Sequence, residues 1–207
     1  MKIYLINSTR DKDRVKFATS LANRLKEKGK TLLVSCKREE SNIEDYYGKD
    51  GMITYDLADY FTGLIGFEDV CVKEDKNLDF IIAPLLNDKY KIEKKDIEKL
   101  SKIDSYKYLI IDSLEPDLIA NKKSVLLVED NKLPANIKED SFFINGVESD
   151  FDPRLIKDKI TSYGKNYLGD VKLGEGYDKV IDNLINDNYV LVPDLGFFEK
   201  LKMKFKK

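Results

Sequence analysis

The residues best placed to do chemistry follow the first apolar run, in the stretch Ser8, Thr9, Arg10, Asp11, Lys12, Asp13, Arg14 (STRDKDR). A loop between a first strand and a first helix is a natural phosphate site, because backbone N–H groups converge at the helix N-terminus. Such a loop needs glycines for close backbone approach, a Lys for charge and a Ser or Thr hydroxyl for Mg²⁺. This one has no glycine and sets Asp11 and Asp13 among Arg10, Lys12 and Arg14. By itself it reads as a charged loop opening a helix. Composition narrows the other chemistries. The 207 residues include no histidine, which removes the commonest general base, the Ser-His and Cys-His nucleophile pairs and His-based metal sites. Cys36 and Cys71 lie in apolar runs and read as buried structural thiols. No pair of carboxylates stands out as acid and base. No catalytic residue and no metal site is assigned.

The second feature is the basic amphipathic stretch 196–207, GFFEKLKMKFKK. Written as a helix, with each residue advancing about 100°, Phe197, Phe198, Leu201 and Phe205 share one arc. Lys200, Lys202 and Lys204 flank or oppose it, with Lys206 and Lys207 beyond. Aromatic and Leu side chains on one face and lysines on the other suit an anionic lipid surface. A last helix packing its stripe on its own domain is the plain alternative, and nucleic acid is a weaker third. Over the whole chain 36 basic residues nearly cancel 38 acidic ones. That balance gives no reason to expect a specific nucleic acid partner.

The elements that must position these residues alternate. Strands are predicted at 2–7, 31–36, 78–83, 106–112, 124–129 and 142–147. Helices are predicted at 13–28, 56–65, 93–103, from Pro153 to about 163, and at 177–188. Strands alternating with helices imply an α/β fold, a mostly parallel, doubly wound sheet with helices on both faces. Only residues 130–141 separate two predicted strands, little more than the minimum parallel crossover of about 10–12 residues. Either LPANIKED makes one helical turn or these strands do not pair in the usual way. The start, MKIYLINSTR, reads as a strand and not a signal peptide, and no apolar run approaches the roughly 20 residues of a membrane span. An intracellular chain is expected, with one domain at 1–192 and a tail at 193–207.

The order of these segments resembles the MinD/ParA ATPases. LANRLKEKGKTLLVS is similar to that family's first helix, turn and second strand. ITYDLADYFTG followed by VCVKEDKNLDFIIAP resembles the stretch ending in its third strand. YKYLIIDS matches a Walker B strand ending in Asp112, and FFING resembles the strand ending in the adenine-contacting Asn, here Asn145. YLGDVKLGEGYDKVIDN resembles a late segment that carries Gly, Pro and then a helix. The resemblance implies a P-loop NTPase-like fold with the Asp112 strand beside the first strand. It also implies a membrane-targeting tail helix built from Phe197, Phe198, Lys200, Leu201, Lys204 and Phe205.

The departures fall on the chemistry. Against the family's KGGxGKT, the aligned residues are Thr9 to Val15: Thr9 replaces the signature Lys, and Arg10, Asp11 and Asp13 replace glycines. Arg14 replaces the P-loop Lys, and Val15 the Mg²⁺-binding Thr. Ser35 and Lys37 stand where the family has two aspartates, and Lys172 where it has Pro. Thr9, Arg10, Asp13, Arg14, Val15, Asp112 and Asn145 thus outline a degenerate nucleotide site. No cofactor is expected, ATP–Mg²⁺ binding at most weakly through Arg14. The loop is expected to form no phosphate cradle, or one filled by its own side chains, with Arg14→Ala leaving stability nearly unchanged. The leading reading is a pseudo-ATPase acting as a scaffold or spatial regulator through protein partners, peripheral at the inner face of the cell membrane. The alternative is an ATP-dependent homodimeric switch with a non-standard loop.

Overall fold

Among the described residues, short and mostly apolar runs form eight strands: β1 (Lys2–Ser8), β2 (Thr31–Ser35), β3 (Val72–Asp75), β4 (Leu78–Ile81), β5 (Tyr108–Asp112), β6 (Lys122–Glu129), β7 (Ser141–Val147) and β8 (Asn166–Lys172). The structure, a computed structural model, describes residues 1–86, 88–130, 132–196 and 199. The strands make one sheet in the order β3-β4-β2-β5-β1-β6-β7-β8, parallel throughout except β3, which runs antiparallel to β4. The Asp112 strand lies beside β1, as expected.

Seven helices accompany them among the described residues: α1 (Arg14–Lys26), α2 (Ile43–Tyr46), α3 (Leu57–Thr62), α4 (Phe67–Val70), α5 (Lys94–Ser101), α6 (Lys157–Ser162) and α7 (Asp178–Asn186). Strand periodicity distributes the core to both faces. Tyr4, Ile6, Leu33, Ile110 and Val125 meet Phe17, Leu21 and Val180 of α1 and α7 on one side. Leu5, Leu32, Leu109 and Ile111 meet residues of α3, α4 and α5 on the other. Farther along that second face Phe142, Ile144 and Tyr167 pack with Ile160 of α6.

Three expectations change. β3 and β8 were not predicted: VKED has too little apolar content, and β8 carries a glycine, Gly169, at φ 115°. The helix from Pro153 opens as a 3₁₀ turn, Pro153–Ile156, before α6. The short link between β6 and β7 does neither of the things expected. The strands pair parallel, and no helix occurs among its described residues. The Asp140 carboxylate accepts from the backbone N–H and Oγ of Ser124 at 3.1 and 2.6 Å, while Ser124 Oγ accepts from the Asp140 N–H. That reciprocal staple and the buried Ile137 replace the missing helix.

Candidate functional site

The chain leaves β1 toward β2 but leaves β5 toward β6, on the opposite side of β1. Such a reversal opens a crevice at the carboxyl ends of the strands. An open groove of about 910 Å³ lies there, lined by Asn7, Asp11, Lys37, Glu39, Ser113 and Glu139 among others.

Asp112 closes β5 with Ile6 of β1 on one side and Ser35 of β2 on the other. It is fully buried, and Ser35 Oγ donates to its Oδ2 at 3.0 Å. Arg14, the first residue of α1, points back into the same place and is 2% exposed. Its Nη1 pairs with Asp112 Oδ1, and its Nε and Nη2 donate to Asp11 Oδ1 at 3.1 and 2.8 Å. Glu39 Oε2 lies 3.6 Å from Nη2, and Glu39 itself pairs with Lys37. The backbone N–H of Glu40 donates to Asp11 Oδ2 at 2.9 Å, tying the segment after β2 to the loop after β1. One guanidinium is thus enclosed by three carboxylates.

Burial pushes the Asp112 carboxyl above its usual range, opposed by Arg14 and Ser35. Burial and the neighbouring Asp11 likewise raise Glu39. Against its own desolvation, hydrogen bonds from Glu39 and Arg14 hold Asp11 below the ordinary carboxylate value.

A second cluster forms toward β7. Asn145, opposite Glu129 in the register, is 2% exposed. Its Nδ2 donates to Asp13 Oδ2 at 3.0 Å and to Glu129 Oε2 at 2.9 Å. Burial raises the Glu129 carboxyl, with Asn145 opposing. Thr9 Oγ1 accepts from the Glu129 N–H at 2.9 Å, and the Thr9 N–H donates to Leu127 O, so this hydroxyl secures the loop to β6. Arg10 lies at the surface paired with Asp130. Val15 is 3% exposed and packs in the α1 core, with no oxygen to offer a metal.

Of the predicted residues, Arg14 and Asp112 come together, as do Asp13 and Asn145; Thr9 touches the second cluster only through the Glu129 backbone, and Arg10 and Val15 join neither. None of residues 8–14 has positive φ, so the backbone forms none of the anion-binding concavities that such turns create. Among the described residues no group of three or more Cys, Asp or Glu is arranged to hold a metal ion. Burial also corrects the expectation for Arg14→Ala, since that substitution would strand Asp112 without its partner. Glu39 and Glu129 were missed. Glu129 had a signal, a carboxylate closing the apolar run SVLLV, whereas Glu39 sits unremarked in CKREE. Phe197, Phe198, Lys200, Leu201, Lys204 and Phe205 lie outside the described residues.

Sheet order and the Asp112 strand beside β1 define a P-loop NTPase-like α/β fold of the MinD/ParA type. No protein-family model matches the sequence, and no curated protein matches it. Among solved structures it is similar to a plasmid partition protein of Borrelia burgdorferi, at 14% identity and a TM-score of 0.68 over 90% of this chain and 98% of that one. A putative plasmid partition protein of Borrelia burgdorferi B31 bound to AMPPNP gives 17% identity and 0.66 over 89% and 96%. The MinC:MinD cell division complex of Aquifex aeolicus gives 15% identity and 0.62 over 89% and 86%.

Proposed function

We propose that this chain is a pseudo-ATPase: a MinD/ParA-like fold that has exchanged phosphate binding for an internal ion-pair network and acts as a scaffold or spatial regulator. The observation that carries this is Arg14, the only buried cation in the loop, already enclosed by Asp112, Asp11 and Glu39. A triphosphate would have to displace three carboxylates from it and approach Asp13 and Glu129 as well, against electrostatic repulsion. One fold neighbour was solved with AMPPNP and another as a MinC:MinD complex. Of those two associations, the carboxylates around Arg14 disfavour the nucleotide, which leaves contact with a protein partner as the reading we adopt.

The site of action we propose is the inner face of the cell membrane, reached through Phe197, Phe198, Leu201 and Phe205 with Lys200 and Lys204 beside them. The support is the pattern of the sequence. Co-sedimentation with anionic vesicles should weaken with salt and be lost in Phe198→Glu.

Millimolar ATP–Mg²⁺ should leave the melting temperature unchanged, because a ligand that prefers the folded state must raise it. A rise of several degrees that disappears in Asp112→Ala would replace this reading with the nucleotide-dependent dimeric switch.

A further inference from the structure

The chain beyond α7 runs along the open edge of β8. The Val190 N–H donates to Tyr167 O at 2.7 Å, and Val190 and Val192 turn inward onto the cluster around Phe142. Tyr189 and Leu191 point outward, 59% and 80% exposed, so the segment is held on one side only. Farther on, two cations of the turn and helix after β7 take hold of it. Lys157 Nζ pairs with Asp194 Oδ1 at 2.8 Å. Arg154 Nη1 reaches both oxygens of Glu199, at 2.9 and 3.0 Å, while its Nε and Nη2 are held by Asp152. Glu199 Oε2 also accepts from the Gly196 N–H at 2.8 Å, three residues back. The same carboxylate therefore ties the Gly196 backbone to Arg154.

We propose that Arg154 and Lys157 form an electrostatic latch that holds the root of the basic tail against the domain, and that an anionic lipid surface opens it by competing for these two cations. The proposal rests on the membrane reading above. Guanidinium binds carboxylate and phosphate with the same planar fork, so a headgroup phosphate is a direct competitor for Glu199. All four latch groups are at least partly exposed, with side chains 31% and 29% exposed for Arg154 and Lys157 and 46% and 79% for Glu199 and Asp194. They are therefore within reach of a surface and weak enough to exchange. A closed latch lowers apparent membrane affinity in proportion to the fraction of chains that are open.

The test uses the full chain and two variants. Arg154→Gln removes the cation without touching the tail. Glu199→Gln removes the charge but keeps an amide oxygen for the Gly196 N–H. Amide exchange over residues 188–196, without lipid, should be faster in both variants than in the parent. Binding to phosphatidylserine–phosphatidylcholine vesicles should tighten roughly 2–5-fold, the scale of an exposed ion pair. Inorganic phosphate at equal ionic strength should open the latch far less than vesicles do. Unchanged exchange overturns the latch. Faster exchange with weaker vesicle binding overturns the release step, because Arg154 would then be an anchor. Faster exchange with no vesicle binding by any form, parent included, overturns the membrane reading and the release step with it. Equal opening by free phosphate overturns the lipid as the releasing partner.

Discussion

At the scale of single residues, Arg14 decides what the site is. A cation at a helix N-terminus is electrostatically misplaced, since the helix dipole favours anions there. It is tolerated because Asp112, Asp11 and Glu39 surround it. Removing one partner of a buried pair leaves the other charged and dry, which costs about 3–5 kcal/mol. Arg14→Ala should therefore lower the unfolding free energy obtained by urea titration by that amount, and the double variant Arg14→Met/Asp112→Leu should recover most of it. A single-variant loss under about 1 kcal/mol would mean the network contributes nothing. Arg14 and Asp112 were both named from the sequence as remnants of a nucleotide site. That they would neutralise one another was not legible, because the pairing depends on a helix start and a strand end nearly 100 residues apart in the chain.

At the scale of elements, polar staples hold the places where the α/β alternation is thin. The β6–β7 link closes through Asp140 on Ser124, whose residue is 1% exposed. Asp140→Ala would leave the Ser124 N–H without its acceptor, so a loss of about 1–3 kcal/mol is expected in urea titration. The second staple joins the segment after β4 to α3. Lys89 Nζ donates to Asp56 Oδ2 at 3.0 Å and Asp59 Oδ1 at 2.7 Å, and the Leu85 N–H reaches Asp56 Oδ2. Against desolvation, Lys89 and the Asp56 N–H hold Asp59 below its ordinary pKa. A carboxyl lowered in the folded state adds stability above its unfolded value, near 3.9, and loses it as pH falls through the folded one. The stability gap between the parent and Lys89→Met should thus be full near pH 6 and shrink as pH falls below the ordinary carboxylate range, about 4. A gap that stays constant across that range would remove Asp59 from the account.

At the scale of the whole molecule, the three apolar clusters end at Val192 among the described residues. Among the described residues beyond it, Asp194, Gly196 and Glu199 make ion pairs and hydrogen bonds with at least partly exposed partners. Deleting residues 196–207 should shift the melting temperature by less than about 4 °C, the equivalent of roughly 1 kcal/mol in a domain this size. A larger drop would mean that the tail packs as part of the core. The same deletion should abolish vesicle binding, so the two measurements separate a folding role from a docking one.

The sequence by itself determined the layer architecture and the central strands. Continuous apolar runs such as TLLVS and YLIID have one stable use in an alternating chain, as strands covered on both faces. It also determined what the loop after β1 lacks, since glycines and a Mg²⁺-binding hydroxyl are local requirements that a residue string either meets or does not. Edge strands escaped because an edge is made by its neighbour: Val72 and Lys73 become a strand only beside Phe80 and Asp79. Tertiary structure alone decided where the charges went. Ion pairs are chosen by proximity in space, and in a chain with 36 basic and 38 acidic residues the sequence offers each cation dozens of partners. Folding brought Arg14 to Asp112, Asn145 to Asp13 and Arg154 to Glu199.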